Sequence, residues 1–279
     1  SITARKLAMA TRERSWPIRP CELPTLVVMR WAHPKRGDMR LWRRNVLELN
    51  SISCGYGVFQ AVHGLTLSLQ SGTITGLLGA NGAGKSSTLM CIAGHVRQQG
   101  GTIHLDGQDI SNLGPTERVR NGIAISPEGR RLFKDLTVQD NLRVGGMVQP
   151  AQVFNHDRDR VLALFPRLGE RLNLLAGNLS GGEQQMLAIG RALMTRPRLI
   201  MIDELSLGLM PKVIDLCYQA LTQLRRDGMT VLLVEQNTER ALKIADHICV
   251  LESGSTVWQG SADAARTDPR LTEAYLGMH

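Results

Sequence analysis

Gly79-Ala80-Asn81-Gly82-Ala83-Gly84-Lys85-Ser86 fits the pattern G-x-x-x-x-G-K-[ST]. Before it, Thr73-Ile74-Thr75-Gly76-Leu77-Leu78 predicts a buried strand. After it, Ser87 to Ala93 predicts a short helix stopped by Gly94. Strand, glycine-rich loop and helix in that order make a phosphate cradle. Glycines let successive N–H groups point inward at phosphate oxygens. The helix N-terminus adds unpaired donors and a partial positive charge. Lys85 is then expected to reach the β- and γ-phosphates, and the Ser86 hydroxyl to ligate Mg²⁺. Gly79 to Gly84 and Ser87 complete the expected nucleotide-contacting set. The loop by itself specifies a nucleotide and no more.

The flanking chain alternates strands and helices. Val46 to Ile52 and Leu65-Thr66-Leu67-Ser68-Leu69 read as strands, the second half-exposed and antiparallel, with Gly55-Tyr56-Gly57 as a turn. Gly100 to Gly107 predicts a strand ended by Asp106-Gly107, Thr116 to Asn121 a short helix, and Ile123-Ala124-Ile125 a short strand. Thr137 caps a helix, residues 157–168 continue helically, and a helix through Met186, Ile189 and Leu193 follows Ser180 and stops at Pro197. No strand signal interrupts this stretch, so residues from about 130 to 195 predict a helical insertion. Then come strand Leu199 to Ile202, an amphipathic helix Val213 to Arg226, strand Thr230 to Val234, helix 238–245, strand 248–251 and a last helix near 269–276. The alternation predicts an α/β fold with a mostly parallel sheet covered on both faces.

Bulk properties narrow the function classes. A chain of 279 residues, 43% hydrophobic, suits one large globular domain or two small ones. No apolar run approaches the roughly 18–20 residues a membrane-spanning helix needs. The five cysteines form no C-x-x-C pair, which fits neither a disulfide framework nor a zinc site and suits a reducing compartment. The net charge of +8 lies entirely in residues 1–45, which hold 11 Lys and Arg against 3 Asp and Glu, while residues 46–279 hold 22 of each. The domain therefore lacks the basic excess of a nucleic-acid binder. Residues 1–45 carry four prolines and no sustained period. They read as a disordered or non-native extension, with Met39 a natural start for the domain. The alternatives are a basic tail on anionic lipid or, from its acid-poor, Arg-containing start, an organelle transit peptide.

Two further stretches carry a resemblance. Leu179-Ser180-Gly181-Gly182-Glu183-Gln184 resembles the signature motif of ATP-binding-cassette (ABC) ATPases, and Leu199 to Asp203 followed by Glu204 resembles their Walker B strand and catalytic glutamate. Their order and spacing also match, over residues 46–279. Within the family the chain looks most like the ATPase subunits of bacterial branched-chain amino acid importers. That likeness rests on Gly55-Tyr56-Gly57, Pro127 to Phe133, Val234-Glu235-Gln236-Asn237 and Ala274-Tyr275-Leu276-Gly277. The resemblance implies a P-loop NTPase fold of the ABC type, with a mostly parallel core, an antiparallel β subdomain and the helical insertion.

It also implies roles. Tyr56 would stack on adenine; the lesser alternative is a plain turn tyrosine. Asp203 would hold Mg²⁺, and Glu204, at a strand's C-terminal end, would orient or deprotonate the attacking water. Ser180, Gly181, Gly182 and Glu183 would meet the γ-phosphate held by the opposite subunit; the same residues also spell an ordinary capping box. Glu128 stands where the family usually has a glutamine that senses Mg²⁺ and the water. Gln236 stands in place of a switch histidine, and can donate a hydrogen bond but carry no charge. Leu205 replaces a usual proline.

By resemblance the chain binds ATP and Mg²⁺ and pairs with itself or a second ABC ATPase. It would sit on the cytoplasmic face of the inner membrane against two transmembrane permease subunits, served by a periplasmic binding protein. The expected function is ATP hydrolysis driving branched-chain amino acid uptake. The alternatives are a urea or short-amide importer, or a regulatory ABC ATPase without a transporter.

Overall fold

In the computed structural model, residues 44–269 and residue 271 are described. The expectations for residues 1–43, for the stretch 274–277 and for most of a helix near 269–276 fall outside them.

Two sheets organise the chain. The smaller contains β1 (Asn45–Tyr56), β2 (Phe59–Gln70), β4 (Gln98–Leu105) and β5 (Gln108–Asp109) in the order β2-β1-β4-β5, all antiparallel. The larger has the order β10-β9-β3-β8-β7-β6. It is built from β3 (Ile74–Leu78), β6 (Ile123–Ser126), β7 (Leu199–Asp203), β8 (Thr230–Glu235), β9 (His247–Glu252) and β10 (Ser255–Ser261). Every pair in it is parallel except β9 with β10.

Period-two alternation along the central strands builds two cores. Leu77, Leu199, Met201, Leu232 and Val234 face the antiparallel sheet and its Leu47, Leu49, Leu67 and Ile103. Leu78, Ile200, Ile202, Val231 and Leu233 face the helical side. Because β3, β7 and β8 are buried on both faces, they read as continuous apolar runs. By contrast β2 buries Leu65, Leu67 and Leu69 and exposes the residues between them, as a one-sided strand must. Opposite it on β1, Leu49 pairs with Leu67, and Leu49 also faces Ile103 of β4.

The helices are α1 (Lys85–Ile92), α2 (Pro115–Arg120), α3 (Val138–Gly145), α4 (Phe154–Leu164), α5 (Pro166–Gly169), α6 (Gly181–Leu193), α7 (Pro211–Arg226), α8 (Thr238–Ile244) and α9 (Ala262–Thr267). The region expected to be a helical insertion holds α3 to α6, with one isolated β-bridge between Thr137 and Leu175.

Local differences from the sequence reading have local causes. The helix expected over 157–168 breaks at Phe165 (φ −128°, ψ 73°), because Pro166 disfavours helical geometry in the residue before it. The helix expected to run to Pro197 ends at Leu193, and Arg196 takes φ 54° while its guanidinium grips buried Asp157 through two hydrogen bonds. Gly55 and Tyr56 finish β1 rather than forming the turn, which is Gly57-Val58 between paired Tyr56 and Phe59. β5, β10 and α9 were not expected: β5 is two exposed residues, β10 is a polar edge strand, and α9 is one short Ala-rich helix after Ser261.

Candidate functional site

The phosphate loop leaves β3 and enters α1. Gly79 (φ 147°) and Gly84 (φ 99°) hold conformations that side chains rarely adopt. A Cβ on Gly79 would stand 2.3 Å from the Leu251 carbonyl oxygen, and one on Gly84 2.7 Å from that of Ala61. These positions therefore need glycine for space as well as for φ. A cavity of about 400 Å³ opens beside the loop, between Ala80–Ala83 and Leu251–Ser253. Lys85 is buried, and its Nζ donates to the carbonyls of Gly79 (2.9 Å) and Ala80 (3.0 Å), so its ammonium lies over the loop.

The next strand brings the acids. β7 parallels β8, which parallels β3, so Asp203 at the end of β7 arrives near the loop. The Ser86 hydroxyl donates to Asp203 Oδ1 at 3.2 Å. Asp203 is 1% exposed. Burial pushes its carboxyl up to about 6; the Ser86 bond opposes this, the carboxylates of Glu204 and Glu128 add to it, and Lys85 counters it. Glu128, exposed beyond β6, is thus close enough to Asp203 to be felt. One carboxylate and one hydroxyl are the sparse hard-oxygen donors that suit Mg²⁺, which keeps several waters and phosphate oxygens in its shell.

Glu204 follows β7 at φ 47°, with its N–H donating to Val234 O at 3.0 Å. Gln236 is exposed just past the end of β8. The Cys54 thiol lies 3.7 Å from Ser87 O, which sets the end of β1 against α1. Tyr56, two residues on, is 56% exposed.

The Ser180 turn is elsewhere. Ser180 caps α6 by accepting from the Glu183 N–H at 3.3 Å, and its own N–H donates to Glu183 Oε2 at 2.9 Å. Burial raises the Glu183 carboxyl, but the Ser180 donors and Arg171, at 2.9 Å, outweigh it and hold the group below its usual value. Gly182 packs so tightly that a Cβ would sit 2.4 Å from Val213 Cγ1 on α7. Among the described residues, no hydrogen bond joins this turn to the phosphate loop. Within one chain, then, the structure groups Lys85, Ser86, Asp203, Glu204 and Glu128, while the Ser180 turn, with Ser180 exposed and Gly182 buried, packs against Arg130, Leu209 and Val213 instead.

Two features were missed from sequence. Arg118 is 3% exposed, and its Nη1 donates to Cys91 O (2.6 Å) and Ile92 O (2.9 Å), closing the C-terminus of α1. Glu235, buried at the end of β8, accepts from Ser206 and Tyr218. Both depend on tertiary contacts that leave no local pattern. A groove of about 890 Å³ between α4–α5 and α7–α8 is larger than the loop cavity, but no phosphate-loop residue lines it.

A family model described as ABC transporter matches residues 62–206. The chain is 46% identical over 232 residues to the high-affinity branched-chain amino acid transport ATP-binding protein BraG of Pseudomonas aeruginosa, covering 83% of this chain and all of that one. It is 32% identical over 234 residues to a probable branched-chain amino acid transport ATP-binding protein, LivF, of Archaeoglobus fulgidus, covering 84% and 99%. A crystal structure of the ADP conformation of an ATP-binding cassette of an ABC transporter superposes with a TM-score of 0.75 at 27% identity, covering 84% of this chain and 99% of that one.

Proposed function

This chain belongs to the ABC transporter family as an ATP-hydrolysing subunit, and from that premise we propose that it powers uptake of branched-chain amino acids through a shared, two-chain nucleotide site. The observation that carries the reading is the separation of the phosphate loop with its acids from the Ser180 turn. One chain wraps a triphosphate from one side, and a second chain's Ser180-type turn supplies donors for the other.

In this mechanism the loop N–H groups and Lys85 bind the phosphates of ATP and neutralise their charge. Ser86 and Asp203 would hold Mg²⁺, which would supply positive charge against the negative charge that develops on the phosphates. Glu204 accepts a proton from, or orients, the attacking water, while Glu128 and Gln236 border the same space. Tyr56 stacks on the base. Ser180 and the N–H groups of Gly181 and Gly182 bind the γ-phosphate across the dimer interface. ATP thus favours the closed pair, and hydrolysis removes the charge-assisted contacts that hold it.

Among the described residues no helix is long and apolar enough to cross a membrane, so permease subunits would supply the crossing and this chain would act from the cytoplasmic face. The partners we assign are a second ABC ATPase, two permease subunits and, through them, a periplasmic binding protein. The cargo reading is supported by what the two relatives are named for.

Labelled leucine uptake in cells whose own copy carries Lys85→Ala tests this. Uptake is expected to fall to background. Full leucine uptake together with lost urea or short-amide uptake would reassign the cargo.

A further inference from the structure

Glu235 has no part in that mechanism, yet it sits directly behind it. It is 1% exposed and accepts three hydrogen bonds: Oε1 from the Ser206 N–H (3.1 Å) and the Tyr218 hydroxyl (3.1 Å), and Oε2 from the Ser206 hydroxyl (2.8 Å). Among the described residues no Lys, Arg or His forms an ion pair with it. A buried carboxyl satisfied only by donors from one loop and one helix fixes those donors to its own strand.

What it fixes is strained. Glu204 stands at φ 47°, a left-handed conformation unusual for a residue with a side chain. Such a conformation persists where the surroundings over-determine it. Three ties do so here. The Glu204 N–H is held by Val234 O, Leu205 is fully buried in the helical-side core, and Ser206 is held at both its N–H and its hydroxyl by Glu235. Two of these ties come from Val234 and Glu235, the residues immediately before Gln236.

We propose that Glu235 is a positioning residue for ATP hydrolysis: it clamps the Glu204–Ser206 turn to the end of β8, so that Glu204 and Gln236 meet the γ-phosphate as one rigid unit. Tyr218 anchors the clamp to α7, the helix that also packs on Gly182 through Val213. This rests on Glu204 being the catalytic carboxylate.

ATP turnover and equilibrium ATP binding of the full chain test the inference. Glu235→Ala is expected to lower kcat roughly 10- to 100-fold, the loss that accompanies a displacement of about 1 Å at a catalytic group, with KM and ATP affinity little changed. Glu235→Gln keeps an acceptor for Ser206 and Tyr218 and is expected to recover most of the rate. Wild-type kcat in folded Glu235→Ala, or a fall in kcat matched by an equal fall in ATP affinity, would overturn the proposal. If the alanine variant does not fold, Ser206→Ala and Tyr218→Phe carry the test. A lower kcat at constant KM in either supports the clamp, and unchanged kcat in both overturns it. Glu204→Gln separates the two layers of the reading. Wild-type turnover in that variant removes Glu204 from catalysis, whereas a stalled Glu204→Gln beside a fully active Glu235→Ala removes only the clamp.

Discussion

Asp203 is a residue whose charge is shaped by its place. Burial, with the nearby Glu204 and Glu128 carboxylates adding to it, pushes its carboxyl up to about 6 from the 3.8 of a free aspartate. The fold therefore binds that proton more tightly than the unfolded chain does. Without Mg²⁺ or nucleotide, this contribution is favourable at low pH and is lost as pH rises from about 4 through 6, by up to ~3 kcal/mol. Glu235, also raised by burial, has the same sign. Urea midpoints in EDTA at pH 4 to 7 are expected to decline more steeply for wild type than for Asp203→Asn, and parallel curves would place the carboxylate in a wetter site. At the same residue scale, Lys85→Ala is expected to lose 100-fold or more in turnover, the range seen when one electrostatic donor is removed. These residues were legible because the loop and the Asp203-Glu204 pair are contiguous. Glu235, Ser206 and Tyr218 were not, since 29 residues separate the partners Ser206 and Glu235 and only the fold joins them.

The elements most readable from sequence were those with a strong period or a cap. The apolar runs of β3, β7 and β8 follow from two-sided burial, and α3 and α6 start where Thr137 and Ser180 cap them. Polar β10 shows little hydrophobic contrast, so its pairing with β9 had no sequence signal. The start of α6 makes its own test. With a Cβ on residue 182 placed 2.4 Å from Val213 Cγ1, Gly182→Ala is expected to destabilise the protein by about 1–3 kcal/mol through overpacking. Removing the opposing methyls in Gly182→Ala/Val213→Ala should recover part of that loss in thermal unfolding. A double variant no more stable than Gly182→Ala would place the strain elsewhere. Ser180→Ala, by deleting the cap, is expected to cost about 1 kcal/mol even where no nucleotide is present.

At the level of the whole molecule, the sheet order lines up β3, β8 and β7 so that the loop, Gln236 and the Asp203-Glu204 pair share one end of the sheet. The α6 turn stands apart from them. The parallel core, antiparallel sheet and helical insertion were all legible from the alternation of periods, because each reflects how many faces of a segment are buried. That the Ser180 turn serves a different chain's nucleotide was implied only by the family resemblance, because sequence distance by itself does not fix which turns converge. In the proposed mechanism each chain supplies half of a site. The decisive measurement is ATP turnover per chain across protein concentration, with molecular mass followed by light scattering, for wild type and for Ser180→Arg. Turnover should rise with association, whether with itself or with an added partner ATPase, and Ser180→Arg should abolish the rise. Full turnover by a strict monomer, untouched by Ser180→Arg, would show that one chain completes the site alone.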